Sequence, residues 1–198
     1  MTIERAAGAL AGALEEAEQA IEHLVWSLEQ GKSSAQMRHG HALADQHQAV
    51  ADDMLGLAKE ARAAIGALLE AFGGQFDLVG TRRALATAQD CLNGLWLRLF
   101  TGFYSGEMLR ARTAMPREKP AWAAWARGVE DALGRCPQPL QAANEALARC
   151  WEDLVDRAGL LSVSVQATGQ QIRVVAGRRG QGERSTERET TLAAGAGE

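Results

Sequence analysis

Three histidines and a neighbouring aspartate are the residues whose types and spacing could hold a metal ion. His39, His41 and His47 lie close together, and Asp45 follows His41 by four residues. Residues four apart share a helix face, so His41 and Asp45 place two ordinary metal ligands side by side. No Glu-x-x-His or His-Glu-x-x-His pair accompanies them. We therefore prefer a solvated polar helix face with no bound metal, and keep a metal protein or helical enzyme as the alternative.

Other chemistry has no local signature in the sequence. A Gly-x-Ser-x-Gly nucleophile turn is absent, as are the glycine-rich loops and the Walker-type lysine that hold phosphate groups. The three cysteines, at positions 91, 136 and 150, have no Cys-x-x-Cys spacing, which favours reduced thiols in a helical core. We expect no catalytic residue and no cofactor, so an enzyme is the less favoured class.

Charge and hydropathy narrow the choice of partner and compartment. The net charge is −4, and residues 1–72 alone carry 5 basic and 11 acidic side chains, so nucleic acid is a poor partner for this segment. A regulator that binds nucleic acid through residues 73–118, which carry 6 basic and 4 acidic groups, is the third alternative. The longest apolar stretch, at 92–104, is too short to span a bilayer, and no signal peptide is visible. Arginine, alanine and glycine outnumber lysine, which suggests a bacterial source, and we expect a cytoplasmic protein.

Two long helices, each with a heptad seam, are predicted in the part of the chain that holds the candidate histidines. In the first helix, expected from residue 3 until Gly31 ends it, apolar residues recur with the a and d spacing of a coiled coil: Ile3, Ala7, Leu10, Leu14, Ala17, Ile21, Leu24 and Leu28. A second helix over 34–72 carries a seam with many small residues: Met37, Ala44, His47, Ala51, Met54, Ala58, Ala61, Ile65, Leu68 and Phe72. The short link between the two helices predicts an antiparallel αα-hairpin over 1–74.

Three further helices are expected over 75–159. The third, over 78–113, is predicted to be central, because Trp96, Phe100 and Tyr104 widen its apolar stripe. Gly102 and Gly106 predict a kink or break within it. Pro120 fits the first turn of a fourth helix over 120–135, and a fifth runs from Pro137 to 158.

The pattern then changes to the alternation of β-strands. If Thr168 and Gly169 form a two-residue turn, the residues Val163, Val165, Ile172 and Val174 fall on one face of a β-hairpin at 160–177. Residues 178–198 have almost no large apolar side chain, which predicts a disordered tail.

The sequence therefore predicts an all-α, multi-helix bundle built on a long coiled-coil-like αα-hairpin, with a small C-terminal β-hairpin and a disordered tail. The function we expect is non-enzymatic: a protein–protein interaction, scaffold or adaptor subunit of a larger bacterial assembly, in contact with a protein partner or a second copy. The expected contact residues lie at the hairpin edge and on the first two helices: Val163, Val165, Ile172, Val174, Leu14, Ile21, His47 and Met54.

Overall fold

The computed structural model describes residues 2–33, 41–72, 77–105 and 120–159. Helix α1 spans Ile3–Ser33, α2 spans His41–Ala71 and α3 spans Leu78–Leu99, followed by a π-helical turn at Phe100–Tyr104. Helix α4 spans Pro120–Arg135, and α5 covers residues 137–159. No strand occurs among these residues. The prediction of an all-α bundle is confirmed. The predicted β-hairpin at 160–177 and tail at 178–198 lie outside the described residues.

The chain divides into two units, Met1–Leu154 and Val155–Glu198. The first unit holds α1 to α4 and most of α5. Within it, α1 packs against α2 and α4, and α2 packs against α1 and α3. In the second unit, the described residues are 155–159, the last residues of α5.

The core of the first unit follows the heptad seam of α1. All eight seam residues, Ile3, Ala7, Leu10, Leu14, Ala17, Ile21, Leu24 and Leu28, have 0% of their surface exposed. The described seam of α2 meets the same core through Ala51, Met54, Ala58, Ala61 and Ile65, also at 0%. Because small side chains fill the middle of the α2 seam, its backbone can approach neighbouring helices closely.

Ion pairs between α1 and α2 show the relative direction of the two helices. Arg62 donates a hydrogen bond of 2.8 Å to Glu18, and Lys59 lies 3.7 Å from Glu22. From Glu18 to Glu22 the chain advances one turn along α1, while their partners go back from Arg62 to Lys59 on α2. The two helices are therefore antiparallel. Arg98 of α3 pairs with Asp53 of α2, and the contacts between α2 and α3 described below are antiparallel in the same way.

Local signals explain where α3 and α4 begin. Asp77 lies in extended backbone before α3, and its side chain accepts a hydrogen bond of 3.0 Å from the amide of Val79, which caps the helix. Thr81 donates to the Asp77 carbonyl at 2.6 Å and is buried. Pro120 opens α4 in the first turn, where its missing amide proton costs nothing.

One predicted boundary was wrong, and the predicted kink in the third helix overlaps an observed irregularity. Helix α1 does not end at Gly31 but continues to Ser33, because one glycine costs only about 1 kcal/mol within a helix. The regular α-helical part of the third helix ends at Leu99, and the predicted end at 113 lies outside the described residues. The π-helical turn Phe100–Tyr104 overlaps the segment where Gly102 and Gly106 predicted a kink.

A candidate interaction surface on the third helix

The histidine region is only partly described. His39 lies outside the described residues, and nothing is described of the His41 side chain. Asp45 is exposed. His47 is 1% exposed, and its ring stacks on Phe103 with centroids 5.1 Å apart. Within the described ranges, no group of three or more potential metal ligands comes together. The metal alternative therefore stays a prediction.

The expected contact residues on α1 and α2 lie inside the chain. Leu14, Ile21 and Met54 are fully buried in the core of the first unit. The alternative of a regulator that binds nucleic acid depends on basic residues of 73–118. Of these, Arg82 and Arg83 are exposed, whereas Arg98 pairs with Asp53. Val163, Val165, Ile172 and Val174 lie outside the described residues. Leu14, Ile21 and Met54 are therefore not accessible on the surface that the structure describes, and neither is His47.

A row of aromatic side chains lies on the outer side of the third helix. Trp96 stacks on Phe100 with ring centroids 5.5 Å apart and ring planes 19° from parallel. Phe100 in turn lies 6.3 Å from Tyr104, tilted by 51°. Leu97 extends the row sideways. The exposed fractions are 60% for Leu97, 56% for Phe100 and 42% for Tyr104. We call these four residues the aromatic row.

The π-helical turn explains why these rings line up. In an α-helix of 3.6 residues per turn, a step of four residues overshoots a full turn by about 40°. Two such steps, from Trp96 through Phe100 to Tyr104, would carry the last ring well round the helix. A π turn contains more residues, so a four-residue step no longer overshoots. The turn at Phe100–Tyr104 therefore keeps Tyr104 close to the line of Trp96 and Phe100.

Packing on the inner side holds the π turn in place. Gly102 lies so close to α2 that a Cβ on it would be 2.5 Å from Cγ1 of Val50. Phe103 is fully buried and stacks on His47 of the same helix. These two contacts pack the inner face of the turn against α2, and Phe100 lies on its outer face.

Sequence reasoning missed the exposure of this row. The 3-4 spacing correctly predicted an inner stripe, since Leu85, Leu92, Leu95, Leu99 and Phe103 are all 0% exposed. Trp96, Phe100 and Tyr104 were expected to widen that stripe, but only Trp96 packs partly against the core. The available signal was that these three rings follow the inner residues Leu95, Leu99 and Phe103 by one position, which turns them about 100° away from the stripe.

The three thiols are buried, and burial raises the pKa of each. Cys91, Cys136 and Cys150 are free cysteines. Burial raises the pKa of Cys136 to about 12. Burial, with a smaller effect from Asp153, raises the pKa of Cys150 to about 11. Burial and the charges of Glu60 and Asp90 also raise the pKa of Cys91. Since the thiolate is the nucleophile, these environments suit core packing rather than nucleophilic catalysis.

An apolar cleft of about 210 Å³ lies between the end of α2 and the start of α3. Four of the nine residues that line it are alanines, and the others include Leu68 of α2, Phe72 just after α2, and Gly80 and Thr81 of α3. Asp77 is the charged residue of the lining, and its carboxylate is already engaged in capping α3. The described residues of the cleft offer no set of polar groups that would orient a small molecule.

No family model, no curated protein and no solved structure matches this chain. Across the described helices, none has the combination of length and apolar character that crossing a membrane requires.

Proposed function

We propose that this chain is a non-enzymatic protein–protein interaction subunit, a scaffold or adaptor within a larger assembly, and that it binds its partner through the aromatic row. The observation that carries the proposal is the exposure of Leu97 and Phe100, at 60% and 56%, beside the stacked ring of Trp96. The proposal covers a different protein or a second copy of this chain as the partner.

The composition of the row supports an interface. Isolated exposed apolar side chains are common on protein surfaces, whereas contiguous apolar patches tend to mark interaction sites. Tryptophan, tyrosine and phenylalanine are enriched in interfaces, and tryptophan and tyrosine are frequent among the residues that dominate binding energy. Burying a phenylalanine or leucine side chain fully contributes about 1.5–3 kcal/mol. A partner that covers the remaining surface of Leu97 and Phe100 would gain part of that amount from each.

The rigidity of the row supports the same function. Ordering a flexible side chain at an interface costs about 0.5–1.5 kcal/mol. Phe100 is already stacked on Trp96, and the backbone beneath it is held by the contact of Gly102 with Val50. A partner therefore meets rings that have lost much of their freedom on folding, which lowers the cost of binding.

The chemistry of the row favours binding over catalysis. Its members are apolar or aromatic, and two polar residues near it on the helix, Asn93 and Thr101, are uncharged. Asn93 accepts a hydrogen bond from Gln89, and Thr101 donates to the carbonyl of Leu97. Such a surface recognises a partner by burying area and matching shape, which suits an adaptor.

Site-specific photo-cross-linking in the native cells tests the proposal. A benzophenone amino acid is placed at position 97 of the full chain or, as a matched control, at position 79, since Val79 is exposed on the same helix at 68%. We expect a discrete adduct from position 97 that is absent from position 79 and is lost when Phe100→Ser is added. An adduct of twice the chain mass identifies a second copy. Absence of an adduct at 97, or equal adducts at both positions, would overturn the proposal.

The finer architecture belongs to the same proposal. We propose that residues 1–74 form an αα-hairpin, which is supported by the antiparallel ion pairs of Glu18 with Arg62 and of Glu22 with Lys59. We also propose that a β-hairpin at 160–177 offers a second contact edge through Val163, Val165, Ile172 and Val174, which is supported by sequence alternation alone.

Composition and unpaired, buried cysteines favour the cytoplasm of a bacterium.

A further inference from the structure

We draw no further inference here: the strongest candidate beyond the aromatic row, the apolar cleft of about 210 Å³ between the end of α2 and the start of α3, carries nothing because it borders residues 73–76, which the structure does not describe, and nothing in the described residues shows what covers it.

Discussion

Gly102 packs against Val50 with no room for a side chain, since a Cβ on Gly102 would lie 2.5 Å from Cγ1 and 3.2 Å from Cγ2 of that valine. Val50 is β-branched and stiff at χ1, so it cannot turn away cheaply. We predict that Gly102→Ala destabilises the protein by about 1 kcal/mol, because overpacking costs about 1–3 kcal/mol and the higher helix propensity of alanine returns about 1 kcal/mol. Urea unfolding followed by circular dichroism measures the change.

Gly12 of α1 is the matched control, because a Cβ there would meet nothing within 4 Å. Gly12→Ala should stabilise the protein by about 0.5–1 kcal/mol through propensity alone. Adding Val50→Ala to Gly102→Ala should recover part of the loss. If Gly102→Ala stabilised the protein as Gly12→Ala does, this result would contradict the close contact between Gly102 and Val50.

Two tryptophans differ in whether their indole N–H has an acceptor. Trp125 of α4 donates a buried hydrogen bond of 3.1 Å to the carbonyl of Ser27 in α1, whereas Nε1 of Trp96 is buried with no acceptor among the described residues. We predict that Trp125→Phe costs about 1–3 kcal/mol, since it leaves a buried carbonyl without this donor. Trp96→Phe should cost clearly less, because it also removes an unsatisfied donor. Urea unfolding of both variants measures the difference, and equal losses would contradict it.

The first helix and the π turn show how much of the structure could be predicted from the sequence. The heptad of α1 predicted all eight buried seam positions, because a repeat sustained over nearly four heptads admits few alternative burial patterns. No period in the sequence identifies a π turn, which arises from how Gly102 and Phe103 pack on α2. The heptad spacing predicted that His47 lies on the seam of α2. It could not predict that the ring stacks on Phe103, because that residue comes from a different helix. Contacts between helices distant in sequence require the tertiary structure.

The ion pair between Arg62 and Glu18 joins a half-exposed cation to a nearly buried carboxylate, with side-chain exposures of 50% and 11%. Arg62→Met keeps much of the apolar stem but leaves Glu18 without its hydrogen-bonded cation. We predict a loss of about 1–2 kcal/mol, less than for a fully buried pair because Arg62 is partly solvated. The control is Lys59→Met, since Lys59 and Glu22 are both about half exposed, at 54% and 50%. That change should stay within about 0.5 kcal/mol. Equal effects in urea unfolding would show that the burial of Glu18 does not matter.

The buried thiols predict a loss of stability at alkaline pH. A thiol in the unfolded chain has an ordinary pKa of 9.0, whereas folding raises the pKa of Cys136 to about 12 and that of Cys150 to about 11. Below pH 9.0 both states keep their protons, so the full stability is present. Above pH 9.0 the unfolded chain releases protons that the folded chain retains, and stability falls until the pH passes the folded pKa. Each thiol contributes a slope of about 1.4 kcal/mol per pH unit in that window.

The double variant Cys136→Ala/Cys150→Ala isolates this effect from other groups that titrate at high pH. Its stability should be lower than that of the wild type at pH 8, because two core side chains are smaller. Between pH 8 and pH 10, however, it should lose about 1–3 kcal/mol less than the wild type does. Urea unfolding in the presence of a reductant, repeated at both pH values, measures the two slopes. Identical slopes would mean that the thiols are not shielded from solvent in the folded state.

Leu95 and Leu97 test the aromatic row directly, because they lie two residues apart on opposite sides of α3, with exposures of 0% and 60%. We predict that Leu95→Ala costs about 2–5 kcal/mol through lost burial and a cavity. Leu97→Ala should stay within about 0.5 kcal/mol, as exposed substitutions usually do. Urea unfolding of the full chain measures both. A large loss at Leu97 would show that another part of the chain already covers the row, and the surface would then not be available to a partner. A small loss there, together with a large one at Leu95, leaves Leu97 and Phe100 exposed on a folded protein, as the proposed interface requires.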